Sequence, residues 1–384
     1  MIESQEVIDL VSQLVRIDST NPWLIKDAVG EADVADYISR WLVALGLDVW
    51  KDEVESGRPN LVAVLHGSGG GKSLCLNAHL DTVGYALWRE TALVPRLEGD
   101  RLYGLGAADD KGHCGAGMLV LKSLVMSKQD LRGDVWLALT IDEEGTSSGT
   151  MAFLEKYHPD AALVLEPFGL GNVTITHQGF GWLDIIIEGK AAHGCAPEIG
   201  VDAIAYMAEV ITRLNKLDRE IYAANPHPLN GKTVFHTGTI QGGTDYATYP
   251  DRCYLGIEIG TQPGETIEDR LAEINAIFSE IKTIAPKFKG EVKVNLARNP
   301  FLAQGHESLL DILSSEINRE LGQPALLVGE NAWGDAALFQ EAGIPTLMTG
   351  AYGENFHAPQ EWVSVNELVQ LIRIIERTVA RYCA

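Results

Sequence analysis

Apolar side chains recur every three or four residues along two stretches near the start of the chain. Residues 2–18 and 30–46 both carry this spacing, which is typical of amphipathic helices. Two strand-like runs follow at 47–54 and 60–67. The glycine-rich segment 67–73 comes directly after them, and its composition predicts a hairpin turn into the next strand.

Apolar strands and helices alternate in the next part of the chain. One strand ends in His79 and Asp81, residues 112–126 have helical spacing, and further apolar strands lie at 134–142 and 161–166. Strands rich in valine, leucine and alanine that alternate with helices indicate a mostly parallel sheet with helices on both faces. We therefore expect an α/β domain.

The pattern changes at about His177. From there to residue 297 the predicted order is strand, helix, strand, strand, helix, strand, which is typical of a small α+β domain with an antiparallel sheet. The pattern of the first part returns afterwards. We predict one domain made of residues 1–176 and 298–384, and a second, inserted domain made of residues 177–297.

The composition narrows the class of protein. A chain of 384 residues with 46% hydrophobic and 22% charged residues is typical of a soluble protein with two domains. The formal net charge of −23 argues against nucleic acid or a membrane as a partner and suits a small-molecule substrate. We find neither an apolar run near the about 20 residues that span a bilayer nor a signal-peptide pattern. Five scattered cysteines without a CxxC pair predict reduced thiols and a cytoplasmic location.

Acids and histidines lie at the ends of predicted strands or in turns. They are His79, Asp81, Asp109, Glu143, Glu144, Glu166 and His357. Ligands of open α/β folds bind at the carboxyl ends of the strands. Acids gathered there repel one another strongly unless a cation lies among them. Mixed histidine and carboxylate donors suit zinc, with manganese or cobalt as alternatives, so the pattern predicts a pair of divalent metal ions.

Three neighbouring residues have simpler interpretations. Asp142 is interpreted as a charge at the end of a strand, and His113 as a residue at the start of a helix. Asp335 lies where a helix N-cap region is predicted. We expect none of the three to bind metal.

Several linked runs of sequence resemble the M20 metallopeptidase family. They are AHLDTV, GLGAADDKG, IDEEGTSSG, LEP, AAHGCAPEIGVDAI and FHAPQE, in the family's order and over nearly the whole chain. The family holds acetylornithine deacetylases, succinyl-diaminopimelate desuccinylases, carboxypeptidase G-type enzymes and dipeptidases. The resemblance implies a zinc-dependent hydrolase that cleaves a C–N amide bond, and we expect deacylation of a small N-acyl amine or amino acid. A dipeptidase, aminopeptidase or carboxypeptidase is the alternative within the class, and a non-catalytic metal-binding scaffold is the alternative outside it.

The resemblance also implies a set of metal ligands. Asp109 would bridge two zinc ions, with cobalt or manganese possible in their place. His79 and Glu166 would complete the coordination of one metal, and Glu144 and His357 that of the other. The peptide bond between Asp109 and Asp110 would be cis.

Catalytic roles follow from the same resemblance. Asp81 would orient His79, and Glu143 would be the general base that acts on a shared water. His193, in the inserted lid domain, would stabilise the oxyanion. A second, unligated acid such as Glu143 is unnecessary in a purely structural metal site, which argues against the scaffold interpretation. The lid also offers an antiparallel sheet edge for a homodimer.

Two positions depart from the family pattern. Relatives that act on amino-acid-like substrates carry an Asn and an Arg that help to hold a substrate carboxylate, whereas Ala247 and Gly260 stand at those positions here. Glycine cannot replace a bidentate arginine clamp. We therefore expect an amide substrate that is held in another way.

Overall fold

A computed structural model describes residues 2–384 of the chain. The helices are α1 (Ser4–Val15), α2 (Ala32–Val43), α3 (Lys111–Ser127), α4 (Ser148–Lys156), α5 (Ala203–Leu217), α6 (Ile267–Ile284), α7 (Glu307–Leu321), α8 (Ala336–Glu341) and α9 (Val365–Tyr382). The strands are β1 (Asp48–Glu55), β2 (Arg58–Leu65), β3 (Leu74–His79), β4 (Arg96–Glu98), β5 (Arg101–Tyr103), β6 (Val135–Thr140), β7 (Ala161–Leu165), β8 (Asn172–His177), β9 (Gly179–Glu188), β10 (Phe235–Gly242), β11 (Arg252–Thr261), β12 (Lys289–Arg298), β13 (Phe301–Leu302), β14 (Leu326–Glu330), β15 (Thr346–Thr349), β16 (Gly353–Glu354) and β17 (Trp362–Ser364). Over residues 2–384, no helix combines the length and the apolar character needed to cross a membrane.

The chain forms two compact units. The first consists of the residues up to Ile175, Ala303–Leu327 and Gly334–Ala384, and the second of Thr176–Leu302 and Val328–Trp333. Our prediction placed residue 176, residues 298–302 and residues 328–333 in the first domain. Residues 328–333 belong to the second unit because they bond within it: the Glu330 carbonyl accepts from the Gln178 N–H (3.2 Å), and Trp333 Nε1 donates to the Asn299 carbonyl (3.1 Å).

The sheet of the first unit is parallel at its centre. Its strands follow the order β1–β2–β6–β3–β7–β15–β8. The pairs β6–β3, β3–β7 and β7–β15 are parallel, while the outer pairs β1–β2, β2–β6 and β15–β8 are antiparallel. β3 and β7 are buried along their whole length, as expected for strands covered on both faces. The four parallel strands therefore end at one common edge.

The glycine-rich segment 67–73 is not a hairpin turn. β6 lies between β2 and β3 and pairs with both, so the two strands that flank the segment do not pair with each other. The segment passes instead over the residues that lead into β6, where the Ser68 N–H donates to the Leu131 carbonyl (2.8 Å). A Cβ on Gly67 would lie 2.5 Å from the Arg132 backbone, so the glycine permits this close crossing.

The second unit contains an antiparallel sheet of the order β10–β11–β9–β12. Together with α5 and α6, these strands follow the predicted order along the chain. Alternate residues of β9, namely Leu183, Ile185 and Ile187, are buried in a core that both helices share. Thr266 and Asp269 form a capping box that begins α6.

A small sheet of the order β16–β17–β5–β4 was not predicted. Its strands are two or three residues long and therefore carry no readable alternation. β17 pairs antiparallel with β5, so that Trp362 lies opposite Tyr103. This pairing holds the segment around His357 beside the turn that carries Asp109.

Candidate metal centre

The predicted ligands follow the parallel strands at their common edge. His79 is the last residue of β3, Glu143 and Glu144 follow β6, and Glu166 follows β7 directly. His357 lies in the segment after β15. Asp109 is supplied by the turn between β5 and α3, and its peptide bond to Asp110 is cis, as predicted.

Asp109 lies between the two histidines. Its Oδ1 is 2.9 Å from His79 Nε2, and its Oδ2 is 3.4 Å from His357 Nε2. His357 Nε2 is also 2.9 Å from Glu144 Oε1. Each oxygen of one carboxylate thus faces a different imidazole, which is the arrangement that a bridging ligand requires. His79, Asp109 and Glu144 form a group whose donor atoms could hold one ion.

A second group with suitable donor atoms consists of His79, Asp110 and Glu166. All three are buried, and the backbone N–H of His79 donates to Asp110 Oδ2 (3.0 Å). Asp110 is absent from the ligand set that the sequence predicted. Because Asp110 follows Asp109 directly, the sequence shows a second carboxylate at this point of the chain. The sequence does not show that this carboxylate lies near Glu166.

Asp81 contacts His79 and also the backbone of the two glutamates after β6. His79 Nδ1 lies 3.0 Å from the Asp81 backbone carbonyl and 3.5 Å from its carboxylate. The carboxylate accepts the backbone N–H groups of Glu143 (3.1 Å) and Glu144 (3.1 Å). We predicted that Asp81 orients His79; the geometry adds that its carboxylate positions the pair of glutamates after β6.

Asn21 connects this carboxylate to a buried ion pair that sequence analysis missed. Its amide donates to Asp81 Oδ2 (2.8 Å) and to Asp142 Oδ1 (3.0 Å). Arg58 donates to Asn21 Oδ1 (3.2 Å) and, through two nitrogens, to Glu31. Asp142, interpreted from sequence as a strand-end charge, is fully buried and also accepts from the Thr146 hydroxyl (2.6 Å). A buried network of charged and polar side chains therefore anchors the turn that carries the two glutamates.

Asp335 is a further buried acid of the site. It is 1% exposed, and the Thr150 hydroxyl bonds to its Oδ2, while its Oδ1 is buried without a hydrogen-bond partner. Burial raises the pKa of Asp335 to about 6, against the effect of its hydrogen bonds. The residue is thus close enough to add to the negative charge felt by Glu143 and Glu166.

The acids oppose one another's ionisation. Burial, together with neighbouring acids, holds the pKa of Glu143, Glu166 and Asp110 well above its usual range. Asp109 behaves differently, because hydrogen bonds from His357 and His79 outweigh its burial and lower its pKa. The same bonds to Asp109 and Glu144 raise the pKa of His357 to about 11. Only a cation among these groups would favour all the ionised acids together, so the donor set fits a divalent metal.

Two histidines considered in the sequence analysis, His113 and His193, lie outside these groups. His113 is buried, but its Nδ1 lies 3.0 Å from the Ala108 carbonyl and its Nε2 accepts the Ala351 N–H (3.0 Å), which leaves no free nitrogen for a metal. His193 is exposed in the second unit, where it pairs with Thr248. Its assignment to the oxyanion stays a prediction.

The two positions that depart from the family pattern also lie in the second unit. Ala247 is exposed, and its carbonyl accepts the Gly194 N–H (2.7 Å) beside His193. Gly260 is buried in β11, where a Cβ would lie 2.6 Å from Gln178 Oε1. That oxygen accepts the Val234 N–H (2.9 Å), so an ordered glutamine fills the space that a longer side chain at 260 would need.

Two histidines and a cluster of buried or partly buried carboxylates at the carboxyl edge of a parallel sheet define a metal-binding enzyme of the α/β class. The chain belongs to the group described as Peptidase family M20/M25/M40, which it matches over residues 75–381. It is accordingly a hydrolase that acts on amide bonds.

Individual relatives resemble the chain over its whole length. An acetylornithine deacetylase of Aliivibrio fischeri is 28% identical over 389 residues, which cover 98% of this chain and 99% of the relative. The N-formyl-4-amino-5-aminomethyl-2-methylpyrimidine deformylase of Bacillus subtilis is 26% identical over 417 residues, with coverages of 99% and 95%. A tripeptidase from Staphylococcus aureus has a crystal structure with a TM-score of 0.83 at 23% identity, over 99% of this chain and 100% of that one, which shows the shared fold.

His79 belongs to both candidate ligand groups, so its removal tests the centre directly. We expect His79→Ala to weaken binding of Zn²⁺ or Co²⁺ at least about tenfold, because each group loses its nitrogen donor. Titration of chelator-stripped protein against a chromophoric chelator measures this. The control is His66→Ala, which removes an exposed histidine paired with Asp48 and Asp134. Equal affinity in His79→Ala and the control would contradict the assignment.

Proposed function

We propose that the chain deacylates a small N-acyl amine or amino acid with two divalent metal ions, zinc being the first choice. The ligands would be His79, Asp109, Glu144, Glu166 and His357. The observation that carries the proposal is the position of Asp109, whose two oxygens face two different histidines. When bound, a metal pair lowers the pKa of a shared water and polarises the carbonyl of the substrate.

Glu143 is the residue to which we assign proton transfer. Its carboxylate belongs to neither candidate ligand group, whereas its neighbour Glu144 does. Its backbone N–H donates to Asp81, which anchors the main chain of Glu143 beside the candidate ligands. A carboxylate beside the metal ions that is not itself a ligand could accept a proton from water and pass it to the leaving amine. His193 would donate to the oxyanion as it forms.

We propose more specifically that the bond cleaved joins a small acyl group to an amine nitrogen. The names of the two relatives both describe removal of a small acyl group from an amine nitrogen. One of these named substrates, the formylated aminomethylpyrimidine, carries no carboxylate. Gln178 occupies the space beside Gly260, which supports a substrate that is not held by an arginine clamp at that position.

A replacement of Glu143 separates catalysis from metal binding. We expect Glu143→Ala to retain about two equivalents of metal and to lose at least about 100-fold in kcat, because general acid–base catalysis contributes roughly 10²–10⁴-fold. Elemental analysis and turnover of N-acetylornithine are measured on the same sample. Glu155→Ala, which changes an exposed acid of α4, serves as the control and should keep full turnover. Normal turnover in Glu143→Ala would exclude its role as the base.

The role of the substrate carboxylate can be tested with matched compounds. We expect kcat/KM for an N-acetyl amino acid and for its carboxamide to differ by less than about tenfold, since no arginine stands at position 260. A charged hydrogen bond contributes about 1.5–3 kcal/mol, so a real clamp would produce a larger difference. A dipeptide panel measured in parallel tests the peptidase alternative. Strong dependence on the free carboxylate, or faster cleavage of dipeptides, would contradict this substrate class.

We also propose that the chain forms a homodimer through the second unit, acts in the cytoplasm on a small molecule, and binds neither nucleic acid nor membrane. The sheet of this unit ends in β10 and β12, whose outer backbone groups can pair with another strand. β10 is almost entirely exposed, including Ile240 at 59%. All five cysteines are free, which supports a reducing compartment, and the net charge of −23 disfavours anionic partners.

Light scattering of the purified protein measures the assembly. We expect twice the mass of one chain, and we expect Ile240→Lys to shift the distribution toward the single chain, because it places a charge on the exposed edge strand. Lys293→Arg, on the opposite edge strand and with its charge unchanged, is the control. A wild-type protein with the mass of one chain at micromolar concentration would contradict the dimer.

A further inference from the structure

We propose that Glu361 is a positioning residue for the metal centre, because its carboxylate holds the turn that presents Asp109 to both metal ions. The inference rests on the proposed metal-dependent function. Glu361 is 1% exposed and is itself in neither candidate ligand group.

Three backbone N–H groups of the Asp109 turn converge on this carboxylate. Oε1 accepts from Ala108 (2.9 Å) and from Asp109 itself (3.0 Å), and Oε2 accepts from Gly106 (3.0 Å). In addition, the Glu361 carbonyl accepts the Gly104 N–H (3.1 Å). One residue therefore fixes the backbone of most of the turn, including the backbone nitrogen of Asp109.

The turn has a shape that needs such support. Gly104 and Gly106 have φ values of 153° and 74°, and a Cβ on Gly106 would lie 2.9 Å from Thr82 Cγ2. N–H groups that point inward from a tight turn form a concave site for an anion. Glu361 occupies that concave site from a segment 252 residues away in the chain.

Glu361 also links the Asp109 turn to the segment that carries His357. His357 precedes Glu361 by four positions. In this short segment, His357 and Gln360 both have positive φ. Such backbone conformations persist only where surrounding contacts hold them. The 3.4 Å distance between His357 Nε2 and Asp109 Oδ2 therefore depends on Glu361, which bonds the Asp109 turn to the His357 segment.

Glutamine cannot fully replace this carboxylate. One of its two terminal groups is an NH2, which donates and does not accept, so N–H groups of the turn would lose an acceptor. Loss of those bonds would loosen the turn that presents Asp109.

The experiment compares Glu361→Gln with Glu316→Gln in the full chain. Glu316 is also buried, at 3% exposed, and its carboxylate pairs with Arg377 (2.8 Å) and Arg381 (2.7 Å) between α7 and α9. Both substitutions keep the size of the side chain and remove one buried charge. For each chelator-stripped protein, urea unfolding gives stability, competition with a chromophoric chelator gives the Kd for Zn²⁺, and the visible spectrum of the Co²⁺ form reports ligand geometry.

We expect both variants to unfold at a lower urea concentration than the wild type. Only Glu361→Gln should weaken metal binding, by about 10- to 100-fold, and change the Co²⁺ spectrum, because loss of an outer residue of this kind typically costs that much affinity. Glu316→Gln should keep the wild-type Kd within about twofold. Glu361→Asp keeps the charge with a shorter reach, so its Kd should lie between those of the wild type and Glu361→Gln.

Glu361→Gln with a wild-type Kd and an unchanged Co²⁺ spectrum would overturn the inference, even if its stability falls. Should Glu361→Gln fail to fold, the folded Glu361→Asp decides the question, and a wild-type Kd there overturns the inference equally. A wild-type protein that binds no divalent metal would contradict the proposed function itself. That result is recognisable because Glu316→Gln would show the same lack of binding.

Discussion

Mutual repulsion among buried carboxylates is the constraint on which the centre depends. Asp109, Asp110, Glu143, Glu144, Glu166 and Asp335 are gathered around two histidines at the carboxyl edge of the parallel strands. Burial and like charge oppose the ionisation of most of them, and the two imidazoles compensate only Asp109 fully. A fold that assembles so much negative charge is stable as a site only with cations among the acids.

Backbone amides, more than side chains, then set the geometry. Asp81 receives the N–H groups of Glu143 and Glu144, and Glu361 receives those of the Asp109 turn. These carboxylates fix the backbone positions of the two glutamates and of Asp109. Asn21 and Arg58 extend this support from Asp81 to the strand β2 and the turn after β6. Within the second unit, Gln178 fills the space beside Gly260.

Sequence reasoning succeeded where the pattern is local and long. The period of apolar residues located α1, α2 and α3 and the buried strands β3, β6 and β7 to within a few residues. It failed at segment 67–73, because the hairpin interpretation assumed that consecutive strands pair, whereas β6 is inserted between β2 and β3. The small sheet around β5 and β17 was missed because strands of two or three residues have no period.

The sequence by itself determined the types of chemical group and the order in which they arrive: a histidine and acids after apolar strands, in runs specific enough to indicate the family. Tertiary structure alone decided which groups meet. The bonds from Asn21 to Asp81 and from the Asp109 turn to Glu361 join residues 60 and 252 positions apart. Asp110 joins Glu166 only because β3 and β7 lie side by side. Such contacts depend on how strands are ordered in space, and no local period along the chain records that order.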